Sequence, residues 1–194
     1  MVSSPSDDGS WSHPRLGTFA RDTYEWTQVY KLDGFEAYSY RPPYVKTNLD
    51  KVHLSFDIDD ESPGPPTSEA AEIMARILGN AALLAGKIHR AVWDDFMGKG
   101  PGSGIWWHGD LEQVMDVYDE FEDTLPALKS ADDVPAWLGL STIRVGRSWQ
   151  LDGDFLGELI FHAAFEEEHG LGILTDGLEI LGLGYSGDAS LFKS

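Results

Sequence analysis

The sequence predicts an α+β fold, in which a largely antiparallel sheet from N- and C-terminal strands packs against one long helix and one or two shorter ones. Three observations carry this. Val52, Leu54, Phe56 and Ile58 alternate with His53, Ser55 and Asp57, the period-two pattern of a strand with one buried face. Apolar residues from Ala70 to Phe96 recur at spacings of three and four, the stripe of an amphipathic helix. Asp-Gly pairs at 33–34, 152–153 and 176–177 lie between apolar runs, where each marks a hairpin.

In chain order, Ser, Pro, Asp and Gly dominate the start and predict a mobile tail over residues 1–14, leaving 15–194 as a single α+β domain. Aromatic and Thr-rich runs from Leu16 to Tyr44 predict two strands around Asp33-Gly34, the second stopped by Pro42-Pro43. The segment DDESPGPP is a loop, and Thr67 or Ser68 can cap the helix that follows. A helix from Ser68 to Met97 would be about 45 Å long, with Gly79 and Gly86 as weak points that could mark close packing. GKGPGSG over 98–104 lacks the Lys-Ser/Thr of a phosphate loop and reads as a flexible linker. Leu111, Val114, Met115, Tyr118, Phe121 and Leu125 give a second helix, ended by Pro126, and a short third helix falls near Ala131–Leu138. The remainder reads as strands, with Ile143 and Val145 in one, Phe155–Phe165 in another, and a hairpin about Asp176-Gly177.

Composition narrows the function classes. A content of 42% hydrophobic residues with seven Trp is too apolar for a disordered chain. No run approaches the ~20 apolar residues of a membrane span. MVSSPSDDGSWSH has no basic start or apolar segment, so no signal peptide is predicted, and the absence of Cys fits a reducing compartment, the cytoplasm. A net charge of −19 disfavours nucleic acid and anionic lipid as partners. The charge is lopsided, −5 over residues 1–99 and −14 over 100–194. Solubility accounts for acidity in general; the asymmetry points to a basic protein partner.

Two segments carry the chemistry. Between Lys99 and Lys129 there is no cation, while Asp110, Glu112, Asp116, Asp119, Glu120, Glu122 and Asp123 crowd the second helix. Acids near its C-terminus oppose the helix dipole, and Glu112, Asp116 and Glu120 repel at spacing four. Such a face is either merely solvated or waiting for a cationic cover. Asp116, Asp119, Glu120 and Asp123 are therefore the candidate partner contacts, with Trp106 and Trp107 as anchors or, alternatively, one core and one rim residue. The second segment, FHAAFEEEHGLGIL, holds His162, Glu166, Glu168 and His169. As a helix it would gather these four toward a metal. As a strand it would set Leu159, Phe161 and Ala163 on one side and Glu158, His162 and Glu166 on the other, with His169-Gly170 forming a turn. The Gly-rich continuation favours the strand. Nothing in the sequence identifies an enzyme or calls for a cofactor.

The order of strand, Pro-rich loop, long helix with Asn80 and Leu84, second helix and C-terminal strand pair resembles a broad group of uncharacterised bacterial proteins. Their C-terminal hairpin carries an aromatic-x-x-acidic-His-Gly-x-Gly pattern, matched here by Phe165, Glu168, His169, Gly170 and Gly172. The likeness spans roughly residues 50–185, with only the hairpin motif specific, and Phe165 stands where Trp is frequent in the group. The resemblance implies a cytoplasmic α+β domain, some members being similar to immunity proteins that neutralise toxins. It carries no catalytic residue across. Three functions follow as expectations: an immunity-like acidic binding protein, a metal-dependent enzyme using His162, Glu166, Glu168 and His169, or a self-associating structural protein of unstated oligomeric order.

Overall fold

The computed structural model describes residues 9–31, 33–43, 45, 51–58, 64–117, 125–148 and 150–192. Among these, nine strands form one sheet whose spatial order is the chain order: β1 (Ser10–His13), β2 (Gly17–Arg21), β3 (Glu25–Lys31), β4 (Lys51–Asp57), β5 (Leu138–Arg147), β6 (Phe155–Ala163), β7 (Glu166–Thr175), β8 (Ile180–Tyr185) and β9 (Ser190–Leu191). All pairings are antiparallel except β4–β5, where His53–Phe56 run parallel to Thr142–Val145. The chain crosses from β4 to β5 through α1 (Ser68–Gly79), α2 (Ala81–Phe96), α3 (Leu111–Asp116) and a 3-10 turn at Ala131–Trp137. The fold is α+β.

The period-two reading of β4 holds. Val52, Leu54 and Phe56 are buried and Lys51, His53 and Asp57 are exposed on the opposite face. The helices cover the first face. α1 lies over β5 and β6, and α2 lies against β8 and the 3-10 turn. Ile77, Leu84, Ile88, Leu54, Ile143 and Leu159 are all wholly buried in the core between them.

Four expectations are corrected. The predicted tail includes strand β1, because Trp11 is 1% exposed and packs against Phe19 and Phe56; residues 1–8 lie outside the described residues. Asp33-Gly34 opens no hairpin, since β3 pairs with β4; Phe35, Tyr38 and Tyr40 instead bury an irregular segment, tied down by Tyr40 N–H donating to Leu138 O at 3.0 Å. The long helix is two helices. At Asn80 the backbone leaves helical geometry (φ −113°), and its side-chain amide donates to Arg76 O at 2.8 Å and to Gly177 O at 3.2 Å, pinning the break to the β7–β8 turn. Gly79 and Gly86 do not mark close packing, because a Cβ on either would meet nothing within 4 Å.

In the C-terminal hairpin, β6 and β7 confirm the strand reading, but the turn falls at Ala164-Phe165. Gly170 has φ +68° within β7, where the register shifts between Phe161 and Ala163. It serves a bulge there, and a Cβ would lie 2.4 Å from Phe161 O.

Candidate partner-binding site

The end of α2 organises the segment that follows it. Asp95 falls on the buried stripe, three residues after Val92, and is 1% exposed. An isolated carboxylate there would be strongly unfavourable, and four donors offset the cost. Ser103 N–H donates to Oδ1 at 2.8 Å and His108 Nδ1 lies 2.6 Å from the same oxygen; Ser103 Oγ–H (2.6 Å) and Trp107 Nε1–H (2.7 Å) donate to Oδ2. Its backbone carbonyl accepts from Gly109 N–H at 2.8 Å. GKGPGSG, read as a linker, is thus wrapped around a buried carboxylate. Gly102 (φ +61°) lies so close to the His108 ring that a Cβ would come 2.0 Å from Cε1.

This hub fixes the two tryptophans. Trp107 is buried, with edge contacts to Phe165 and Tyr185; Trp106 is half-buried at the rim, its ring centroid 5.6 Å from that of Trp107. Trp106 Nε1–H donates to Glu166 Oε2 at 2.9 Å. Glu166 Oε1 in turn lies 3.1 Å from His169 Nδ1 and accepts from His169 N–H at 3.2 Å. Burial alone would raise the Glu166 carboxyl, but the bonds from Trp106 and His169 outweigh it and hold the group below the ordinary carboxylate range. The His169 ring lies against Tyr185 at 4.7 Å, with Nε2 at 4.0 Å from the exposed Glu168. The two segments singled out by sequence meet here, sixty residues apart.

The segments that meet at this junction carry exposed acids. Glu112 and Asp116 are exposed on α3, and Asp110 caps it by accepting from Gln113 N–H at 3.1 Å. Glu167 is exposed and accepts from Tyr40 O–H. Asp119, Glu120 and Asp123 lie outside the described residues. Two of the later acids are compensated: Glu158 pairs with Arg144, and Glu179 with Lys87.

The metal expectation is not met by the geometry. Glu166, Glu168 and His169 cluster, but His162 stands on β6 opposite Gly139, half-buried, where desolvation lowers its imidazole pKa. Among the described residues no group of three His, Asp or Glu side chains is placed to hold an ion. The strand geometry is the cause, since it separates side chains that one helical face would have gathered. No helix among the described residues is long and apolar enough to cross a membrane. Comparison with protein-family models, curated proteins and solved structures finds no match to this chain.

Sequence reasoning missed Asp95 and its donors. The available signal was an acid placed on the apolar stripe at a helix C-terminus, where both burial and the dipole disfavour it.

Proposed function

We propose that the chain is a cytoplasmic, immunity-like binding protein that neutralises a basic protein partner, such as a toxin, on the acidic edge formed by α3 and the start of β7. The observation that carries this reading is the bond from Trp106 to Glu166. It joins an aromatic rim residue to the acidic hairpin; Glu112 and Asp116 follow Trp106 in the chain, and Glu168 follows Glu166. Opposite charge speeds such an encounter and makes it salt-dependent, while a preoriented indole supplies a rigid anchor. The resemblance in the hairpin motif points the same way.

The test is capture with the immobilised protein at low and at high salt, identification of the retained protein, and titration of that purified protein against wild type and a Glu112→Gln/Glu168→Gln variant. A cationic protein held at low salt, released at high salt and bound more weakly by the variant supports the proposal. Equal capture by both forms, or no cationic protein at either salt, removes it.

Self-association is the second reading. Leu83 and Leu178 are exposed, and Leu83 lines a groove between α2 and β8 together with Ile180, Phe192 and the charged Lys87, Arg90, Asp94 and Glu179. Light scattering separates the two, because a mass that rises with concentration regardless of salt belongs to apolar assembly.

A further inference from the structure

The sheet face turned away from the helices holds a second polar centre, which shares no residue with the Trp106 junction. Arg144 on β5 donates to Glu158 Oε2 on β6, and Glu158, 7% exposed, takes Gly187 N–H on Oε1 at 2.8 Å. Ser55 O–H donates to Glu25 alongside. Asp57 on β4 stands beside Arg144, and among the described residues no hydrogen bond reaches its carboxylate. Asp57, Arg144, Glu158 and Gly187 border a cavity of about 110 Å³, also lined by Ser148, Gln150 and Leu156. That is the room of three or four waters at about 30 Å³ each.

Two strand glycines make room for these carboxylates, Gly146 in the lining of the cavity and Gly172 against Glu158. A Cβ at Gly146 would lie 2.1 Å from Asp57 Oδ2, and one at Gly172 would lie 2.5 Å from Glu158 Oε1. Glycine inside a strand weakens it, so the space is held open at a cost to the sheet. The guanidinium of Arg147, also on the rim, is turned to Gly153 O at 2.9 Å and over the Phe155 ring at 4.5 Å. Arg144 keeps further N–H groups beyond the one given to Glu158, so the cavity offers donors on one wall and an unengaged acceptor on the other. Asp57 is exposed as a residue, but partial desolvation of its carboxyl at the pocket, together with Glu25 and Glu158, pushes it up against the opposing effect of Arg144. A bound cation would relieve that repulsion.

We propose that this pocket binds a small ligand carrying a protonated amino group beside a hydroxyl, with the ammonium on Asp57 and the hydroxyl oxygen facing Arg144. Ethanolamine is the probe, ethylene glycol its neutral counterpart of similar size, and sodium chloride the control for general screening of an acidic protein. Amide NMR reads the result, with Gly187, whose N–H contacts Glu158, as reporter. The expected result is saturable shifts at Gly187 and Gly146 with ethanolamine and not with ethylene glycol. Asp57→Asn weakens them at least about tenfold, and Glu112→Gln, on the distant acidic edge, leaves them unchanged. Shifts that fail to saturate, that sodium chloride reproduces, or that persist in Asp57→Asn would overturn the proposal. If Asp57→Asn does not fold, the comparison of ethanolamine with ethylene glycol on the wild-type chain decides alone.

Discussion

Asp95 and His108 meet at 2.6 Å between Oδ1 and Nδ1, one all but sealed from water and the other part-exposed. Thirteen residues separate them, and the loop between them closes around that contact. Removing the carboxylate strands four donors, whereas removing the imidazole strands only one acceptor site.

Asp95→Ala is therefore expected to cost about 3 kcal/mol or more, and His108→Ala distinctly less. Urea denaturation followed by Trp fluorescence measures both. Equal losses would mean that the loop is held by something other than the carboxylate.

Two glycines should respond in opposite directions. Gly86 sits inside α2 with nothing near its missing Cβ, so Gly86→Ala is expected to stabilise by about 0.5–1 kcal/mol through helix propensity. Gly102 has positive φ and lies on the His108 ring, so Gly102→Ala is expected to cost about 2 kcal/mol or more. Thermal midpoints of the two variants check the signs.

Stability should fall as pH drops from about 7.5 to 5.5. Burial lowers the imidazole pKa of both His89 and His162 in the folded chain, and Asp132 only partly counters this at His89. His89 Nε2 is also buried, without a hydrogen-bond partner among the described residues. The unfolded chain takes up protons near pH 6.5 while the folded chain resists. Stability from the neutral rings is thus complete above that value and lost below it. Below about pH 4.5 a second loss follows, as Glu166 and Asp133, both held low in the fold, are protonated. Urea midpoints across the range test this, and His89→Gln should flatten the first step.

Trp106→Phe removes one indole N–H and keeps most of the ring. It is expected to cost about 1 kcal/mol of stability. Binding of the proposed basic partner should weaken along with it, because the anchor loses the bond that orients it. Calorimetric titration compares the two forms, and unchanged affinity would exclude Trp106 from the contact.

The strands and helical stripes were legible because their signals are local. Alternation from Val52 to Asp57 and the recurrence from Ala70 to Phe96 need no knowledge of the rest of the chain. What was illegible depends on distant partners. Trp11 looks like part of a polar tail until Phe19 and Phe56 are placed beside it. The glycines of 98–104 look slack until Asp95 supplies the carboxylate they enclose. Asn80 interrupts a continuous stripe because Gly177, ninety-seven residues on, offers its carbonyl. At the site itself, the sequence singled out Trp106, Glu166 and His169 separately, but their meeting is a product of topology.

That topology has a kinetic corollary. Because the strands lie side by side in the sequence in which they are synthesised, seven of the eight junctions let a strand zip onto the one before it across a local connection, nineteen residues between β3 and β4 and fewer than ten elsewhere. The parallel seam from His53–Phe56 to Thr142–Val145 is the exception, and closing it brings together residues 89 apart in the chain. Loop-closure entropy makes that seam the slow contact, so the two meanders should gain protection from hydrogen exchange before the joint between them does.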